Sequence, residues 1–217
     1  SFEHSMQRLG LSKIDIIYMH DIGRVTHGDD HDRLFKIAME GGYKAMDELR
    51  SQGLVSAIGL GVNEYEVCEQ AMDHGHFDCF LLAGRYTLLE QESLQTFLPR
   101  CVKENSSIVL GGILATGVRR EGVVPHYNYE PASKDVIKTV ARIEDICDEY
   151  NVPLAAAALQ FPLAHPAVVS VIPGLSSANR VETTVAQMQH EIPAEFWTAL
   201  QDAGILYPDV PVPSTLP

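Results

Sequence analysis

Short apolar runs recur along the chain and are separated by longer stretches in which apolar positions repeat with a helical period. The runs are rich in β-branched and aromatic side chains, which is typical of strands. They occupy residues 14–19, 55–60, 77–82, 108–110 and 168–172. The pattern therefore predicts a strand at each of these places.

The stretches between the runs have the apolar spacing of amphipathic helices. Predicted helices occupy residues 35–49, 136–150, 177–188 and 193–200. Gly53 is placed to end the first helix and Ser133 to cap the start of the second. Strands that alternate with helices predict an α/β fold, in which a parallel sheet has both faces covered.

The first apolar run ends in His20 and Asp21, a polar pair that burial of the run does not explain. Parallel α/β proteins place their chemistry at the carboxyl ends of the strands, so His20 is predicted to face a cleft. The alternative is that His20 caps the strand and hydrogen-bonds a loop carbonyl. Tyr18 shares its face of the strand and is expected to be a core tyrosine.

Two further strand ends carry candidate binding residues. In GVNEYE, after the second run, Asn63 is predicted either to contact a ligand or to cap the next helix, with Glu66 closing a capping box. In GGILATG, after the fourth run, the glycines either let the backbone approach a ligand closely or form a plain turn. Both positions stay open between a structural and a functional role.

The last apolar run is followed by IPGLSSANR, which leads into a predicted helix. The residues before that helix are Gly174, Leu175, Ser176 and Ser177. Unpaired N–H groups and the helix dipole favour an anion there. Arg180 opposes the dipole by about 0.3–1 kcal/mol, so it is expected to have a negative partner. That partner is either a carboxylate such as Glu182 or a bound phosphate.

A phosphate site between the last strand and the next helix is a recurring feature of (β/α)8 barrels. The competing fold is an open dinucleotide-binding sheet, which needs the pattern G-x-G-x-x-G. The sequence GLGVNE after the second run lacks the third glycine and is a weak match.

Composition narrows the class of protein. The 217 residues are 46% hydrophobic and 21% charged, which predicts one globular domain over residues 1–217. The net charge of −13 disfavours nucleic acid and anionic membranes as partners. No apolar stretch is long enough to span a bilayer, so a cytoplasmic protein is expected. The four cysteines have no paired spacing, which favours reduced thiols over a disulfide framework or a zinc site.

Several blocks of sequence together resemble the aldo-keto reductase superfamily. The nearest branch comprises the sugar dehydrogenases that act on L-fucose, D-arabinose and related D-threo-aldoses, with pyridoxal 4-dehydrogenase as a neighbour. The blocks that carry the resemblance are LGLSKIDIIYMHD, LRSQGLVSAIGLGVNE, FDCFLLAGRYTLLEQ, GGILATGV, ALQFPLAHPAVVSVIPGLSSANRV and IPAEFWTAL. The resemblance implies a TIM barrel that binds NAD or NADP and transfers a hydride between the nicotinamide and a small sugar or aldehyde.

The resemblance also implies roles for individual residues. His20 matches the histidine that orients the substrate oxygen, and Asn63 matches the residue that hydrogen-bonds the nicotinamide carboxamide. The loop along the pyrophosphate corresponds to Gly112, Ile113 and Leu114. The loop around the adenosine phosphate corresponds to Gly174, Leu175, Ser176, Ser177 and Arg180. No metal ligand is implied.

Five positions depart from the family pattern. Ala83 replaces the usual glutamine, and Gly111 replaces the aromatic residue that stacks on the nicotinamide. The usual Glu/Asn pair that follows Arg180 is Thr183 and Thr184. Gly174 replaces a lysine that often contacts the 2′-phosphate, which favours NAD over NADP, although Arg180 leaves that preference open.

The resemblance begins at the helix before the fourth strand of the family barrel, so five of eight strands are expected here. The first three strands of the family carry its catalytic tyrosine, lysine and aspartate. This chain is therefore expected to be an N-terminally incomplete barrel that is inactive alone. It would be part of a longer enzyme, or would pair with a complementing N-terminal segment or with a second copy.

Two other functions stay open. One is a catalytically inactive protein that binds the cofactor or a partner, because the superfamily resembles potassium-channel β subunits in using the barrel for regulation. The other is a metal site in HDIGRVTHGDDHD, formed by His20, His27, Asp29, Asp30 and His31. That spacing fits no established zinc pattern, and such a cluster is usually a solvated loop.

Overall fold

A parallel sheet organises the structure, a computed structural model that describes residues 2–113, 126–127 and 130–213. Five of the strands in these ranges form that sheet, in the order β1-β2-β3-β4-β7. They are β1 Ile16–His20, β2 Ala57–Val62, β3 Cys79–Ala83, β4 Ser107–Gly111 and β7 Val168–Ile172. A separate antiparallel pair joins β5 His126–Tyr127 to β6 Glu130–Pro131.

Helices connect the strands of the main sheet. Within the described ranges they are α1 Phe2–Leu9, α2 Arg24–His27, α3 His31–Ile37, α4 Lys44–Ser51, α5 Tyr65–Met72, α6 Phe97–Glu104, α7 Lys134–Tyr150, α8 Leu154–Gln160, α9 Ala178–Met188 and α10 Ala194–Asp202. A π-helical segment, Ala38–Tyr43, joins α3 to α4. None of the helices described is both long and apolar enough to span a membrane.

All five predicted strands are present, but the first three begin two residues later than their apolar runs. Val55 and Phe77 are buried although they precede β2 and β3. Burial therefore begins before the hydrogen-bonded ladder does, because these side chains already pack under the helices. Hydrophobic periodicity indicates which side chains are buried and not which residues pair in the sheet. The first three predicted strands therefore begin two residues too early.

The helices pack on one face of the sheet. On that face the central strands place Leu60, Phe80, Leu82, Ile108 and Leu110, each 0% exposed and part of the main core. On the opposite face, Tyr18, Leu81, Val109 and Ser170 are only half-buried and join no core cluster among the described residues. The described residues therefore cover the second face only in part, whereas the sequence pattern predicts that both faces are covered.

The strand order explains this arrangement. Consecutive parallel strands lie side by side in chain order, without the reversal that a doubly wound sheet requires. Parallel crossovers are right-handed, so connections that always step in the same direction leave their helices on the same side. This order is that of a barrel wall and excludes the open dinucleotide-binding sheet.

Glycines in β2 make room for two rings on the uncovered face. A Cβ at Gly61 would lie 3.4 Å from His20 Cδ2, and one at Gly59 would lie 3.0 Å from Tyr18 Cδ1. Tyr18 is half-buried instead of forming part of the core, and its hydroxyl accepts a hydrogen bond from the Cys79 thiol at 3.5 Å. Burial raises the pKa of the Tyr18 phenol, so this group is a poor proton acceptor near neutral pH.

The predicted helix 35–49 is present but is interrupted by the π-helical segment. Gly42 in that segment lies against β1, where an added Cβ would come within 2.8 Å of Met19 Cε. A π turn inserts an extra residue and realigns the helix face, which lets this glycine meet the strand. Gly53 has the left-handed φ of 72° expected of a residue that ends a helix.

The N-cap that the sequence predicts at Ser133 is confirmed, and the structure shows a second N-cap at Ser177. Ser133 Oγ accepts a hydrogen bond from Val136 N at the start of α7, and Ser177 Oγ accepts one from Arg180 N at the start of α9. Asn151 adopts φ 55° at the end of α7, the left-handed conformation that asparagine tolerates. These three residues fix their helix ends through interactions that reach only a few residues along the chain.

The four cysteines are free and buried, as the expectation of reduced thiols requires. Burial raises the pKa of Cys101 and of Cys147 to about 12. Their thiolate fraction at neutral pH is therefore negligible, and these thiols act as small apolar core groups.

Candidate active site

The predicted site residues follow the carboxyl ends of four strands, and the parallel sheet brings those ends to one edge. His20 ends β1 and Asn63 follows β2 directly. Gly112 and Ile113 follow β4, and the segment 174–177 follows β7. Leu114 lies outside the described residues. The sheet thus lines up segments that are far apart in the sequence.

His20 is exposed at this edge. Its side chain is 77% exposed, and Nδ1 lies 3.5 Å from Asp21 Oδ2. The alternative of a hydrogen bond to a loop carbonyl is not realised among the described residues. Asp21 adopts a left-handed φ of 47°, and its N–H donates to the Gly61 carbonyl at 2.9 Å. The chain therefore turns sharply after His20 and leaves the imidazole facing outward.

Asn63 is held through its backbone. Its carbonyl accepts a hydrogen bond from Arg85 Nε at 2.7 Å, while its side-chain amide has no hydrogen-bond partner within the described part of the chain. The predicted capping box is wrong, because Glu64 occupies the N-cap position of α5 and no side chain bonds there. Asn63 therefore does not cap the helix, and its side-chain amide is available to contact a ligand.

Glu64 joins the loops that follow β1 and β2. Its carboxylate accepts a hydrogen bond from Val25 N at 2.9 Å and fills the space where Gly23 lacks a Cβ. The two loops border a cleft of about 360 Å³. Residues that line this β2 cleft include Arg24, His31, Asn63, Glu64, Gln70 and Arg85. The cleft therefore contains one of the predicted binding residues.

The Gly23–Glu64 contact makes a testable prediction. Gly23 has φ −86°, which alanine adopts easily, but the new Cβ would overlap the Glu64 carboxylate and displace it from Val25 N. We expect Gly23→Ala to lower the free energy of unfolding by about 1–2 kcal/mol. Glu64→Ala should remove the overlap, so the double variant should be no less stable than Glu64→Ala alone. Urea unfolding of all four proteins measures this coupling, and additive losses would contradict the contact.

The loop after β4 combines a close backbone approach with a buried side chain. Gly112 has φ 63°, and a Cβ there would lie 3.3 Å from Gly84 N. Ile113 is 2% exposed and belongs to the core, so only its backbone is available to a ligand. Glycine at 112 is therefore required by the left-handed backbone and by the neighbouring β3 loop.

The segment after β7 is open to solvent. Gly174, Leu175, Ser176, Ser177 and Arg180 are all exposed. Arg180 has no ion-pair partner among the described residues, so the expected Glu182 partner is not used. Within the part of the chain that the structure describes, nothing compensates the guanidinium in the first turn of α9, which lies beside a helix start whose N–H groups favour an anion.

The metal alternative is not supported by the described residues. They contain no group of three side chains that could hold a metal ion. His31 is 3% exposed, and its ring nitrogens lie 3.1 Å from the Ile22 carbonyl oxygen and 3.4 Å from Gln70 Oε1. This histidine therefore connects α3 to the segment after β1 and to α5.

Three residues of this edge were missed by the sequence analysis. They are Gly23, Glu64 and Arg85, which act through partners on other loops. Arg85 carried a usable signal, because a charged residue that closely follows a buried strand needs a partner at the sheet edge.

The comparisons with known proteins agree with this geometry. The aldo/keto reductase family profile matches residues 1–205. The chain belongs to the aldo/keto reductase family. Pyridoxal 4-dehydrogenase from Microbacterium luteolum is 43% identical over 209 residues, which are 95% of this chain and 61% of that protein. D-threo-aldose 1-dehydrogenase from a Pseudomonas species is 33% identical over 212 residues, again 95% and 61%.

A solved structure supports the fold of this aldo/keto reductase chain. The apo aldo-keto reductase from Bacillus halodurans matches with a TM-score of 0.64 at 21% identity, over 92% of this chain and 65% of that one. The expected fold class is confirmed: the five parallel strands correspond to part of the (β/α)8 barrel. The chain spans about three fifths of the length of the curated relatives it matches.

Proposed function

We propose that the protein is an NAD(P)-dependent oxidoreductase that moves a hydride between nicotinamide and a small hemiacetal, such as C1 of an aldose, or a related aldehyde or alcohol. The names of the two relatives support this substrate class. An aldose closes to a cyclic hemiacetal, and so can pyridoxal, whose aldehyde adjoins a hydroxymethyl group. Both compounds therefore offer a hemiacetal carbon that can be oxidised.

The order of the loops along the sheet edge is the observation that carries the proposal. The candidate adenosine-phosphate segment follows β7, the pyrophosphate loop follows β4, the carboxamide contact Asn63 follows β2, and His20 ends β1. Read across the sheet, this is the linear order of an extended dinucleotide that ends at a substrate.

The side chains present fit such a cofactor. The Asn63 amide offers both a donor and an acceptor, which match a carboxamide. The start of α9 offers N–H groups, and Arg180 offers a cation without a partner among the described residues. When bound, the oxidised nicotinamide supplies the hydride acceptor. The substrate carbon would give its hydride to the nicotinamide, and its hydroxyl would give its proton to a base, so that a hemiacetal becomes a lactone. The resemblance assigns that base to the family's catalytic tyrosine, which lies in the first three strands of the family barrel.

His20 is assigned to the substrate. The exposed imidazole can hydrogen-bond the hemiacetal oxygen and orient its carbon toward the nicotinamide end of the cofactor. Tyr18 is not assigned as the proton acceptor, because its half-buried hydroxyl already accepts a hydrogen bond from the Cys79 thiol. His20 therefore binds and orients the reacting group.

Cofactor choice is proposed to favour NAD. Gly174 is exposed, and an added Cβ would meet nothing within 4 Å, so this position offers no side chain to a 2′-phosphate. Arg180 is then the cation proposed to contact a phosphate of either NAD or NADP. A comparison of the dissociation constants of NAD and NADP decides this preference.

The function is tested on the protein as its host makes it. Its intact mass is measured first, followed by turnover of L-fucose, D-arabinose and pyridoxal with NAD and with NADP. Turnover of any of these, with one product per reduced cofactor, supports the proposal. A protein that binds the cofactor without turning over any of them is instead a binding protein of the same family.

Arg180 provides a prediction about the cofactor alone. We expect Arg180→Ala to weaken binding of NADH and NADPH by about tenfold or more, because a charge-assisted contact to phosphate is lost. The value of kcat at saturating cofactor should not change. Arg8→Ala, at an exposed arginine of α1, is the matched control. Equal affinity in Arg180→Ala and the control would contradict the phosphate assignment.

A further inference from the structure

Arg85 connects two strand ends of the candidate site. It follows β3 and reaches across to the end of β2, where Nε donates to the Asn63 carbonyl at 2.7 Å. Its side chain is 19% exposed, although it carries a charge. Its own carbonyl accepts a hydrogen bond from the fully buried Ser93 hydroxyl at 2.8 Å. The residue is thus fixed at both ends.

Among the described residues, no backbone hydrogen bond from β3 reaches Asn63. The β2–β3 ladder ends with the pair Val62 and Leu82. Beyond it, Gly84 turns with φ 67° and donates its N–H to the Gly111 carbonyl at 3.0 Å. The backbone donor at the end of β3 is therefore committed to β4. Arg85 therefore reaches Asn63 with its side chain, beyond the end of the β2–β3 ladder.

We propose that Arg85 is a positioning residue for the nicotinamide half of the cofactor, acting through Asn63. The inference rests on the proposed function, because it takes Asn63 as the carboxamide contact. The Asn63 side chain has no hydrogen-bond partner among the described residues, so its orientation depends on its backbone. The backbone is held in turn by the Arg85 bond. An amide that is misplaced by about 1 Å loses most of a directional contact.

The test separates the two halves of the cofactor. Arg85→Met keeps an apolar stem of similar length and removes every donor. We expect its dissociation constant for NADH to rise about tenfold, the loss of one or two hydrogen bonds. Binding of ADP-ribose, which lacks the nicotinamide, should not change. A general loss of structure would weaken both ligands, so the difference between them reports positioning.

Three further variants control the result. Glu90→Gln removes the ion-pair partner 3.7 Å from Arg85 Nη1 and leaves the bond to Asn63, so its NADH affinity should equal that of the wild type. Arg85→Lys keeps a donor and should recover part of the lost affinity for NADH. In an Asn63→Ala background, Arg85→Met should have no additional effect on NADH binding. If Arg85→Met does not fold, Arg85→Lys compared with Glu90→Gln makes the same test.

The outcomes distinguish this inference from the function on which it rests. Selective loss of NADH affinity in Arg85→Met, absent in the Asn63→Ala background, supports the inference. Equal effects of Arg85→Met on NADH and ADP-ribose overturn it while the proposed function stands. A wild-type protein that binds neither NADH nor NADPH overturns both.

Discussion

Replacing His20 with alanine is expected to lower kcat/KM about 10²- to 10³-fold and to leave the dissociation constant of NADH unchanged. The imidazole is proposed to hold the substrate oxygen, and loss of one such donor removes an interaction that strengthens as the reaction proceeds. Asn63 and the segment after β7 lie on other strands and keep their contacts. Steady-state kinetics together with equilibrium titration of NADH measure both quantities on the same sample.

The His20 variant should fold normally. The side chain is 77% exposed, so its removal creates no cavity and the thermal unfolding midpoint should not change. His27→Ala is the matched control, because His27 ends the short helix α2 in the loop region after β1 and has no proposed role in catalysis. Its kcat/KM should equal that of the wild type. An equal loss of kcat/KM in both variants would mean that the loop, and not the His20 imidazole, is needed.

Gly59→Ala should have the largest effect on stability, a loss of about 3 kcal/mol or more in the free energy of unfolding. An added Cβ would overlap the Cys79 carbonyl oxygen and come within 3.0 Å of Tyr18 Cδ1. The first neighbour is backbone of β3, which pairs with β2 at this position and cannot move without breaking the ladder. Urea unfolding, or the soluble yield if the variant does not fold, measures the loss.

Gly61→Ala is the matched control on the same face of β2. Its nearest neighbour would be His20 Cδ2 at 3.4 Å, an ordinary contact with a mobile ring. Alanine is also better than glycine in a strand by about 0.5–1 kcal/mol, so this variant should be as stable as the wild type or slightly more stable. Similar losses of stability in both variants would contradict the backbone overlap at Gly59.

Local patterns accounted for the elements of the fold. The apolar runs located all five strands of the main sheet, and Ser133 and Gly53 marked helix ends. These signals act over a few residues, through a cap bond or a left-handed turn, so they are readable in the sequence. The strand starts were displaced because burial and hydrogen-bond pairing begin at different residues.

The candidate site was predictable only where chemistry follows a strand directly. His20 and Asn63 could be singled out because parallel strands gather their carboxyl ends at one edge. The capping role considered for Asn63 was wrong, since the helix begins one residue later than the capping box requires. The sequence carried no sign that Ile113 would be buried in the core, because its neighbours there come from other parts of the chain.

The sequence by itself determined the alternation of strands and helices and which polar residues stand at the strand ends. Only the tertiary structure decided that the described helices share one face, that Glu64 fills the space beside Gly23, and that Arg85 holds Asn63. The bonds of Glu64 to Val25 and of Arg85 to Asn63 span 39 and 22 residues. Contacts between such distant residues depend on how the strands are ordered and leave no periodic pattern in the sequence.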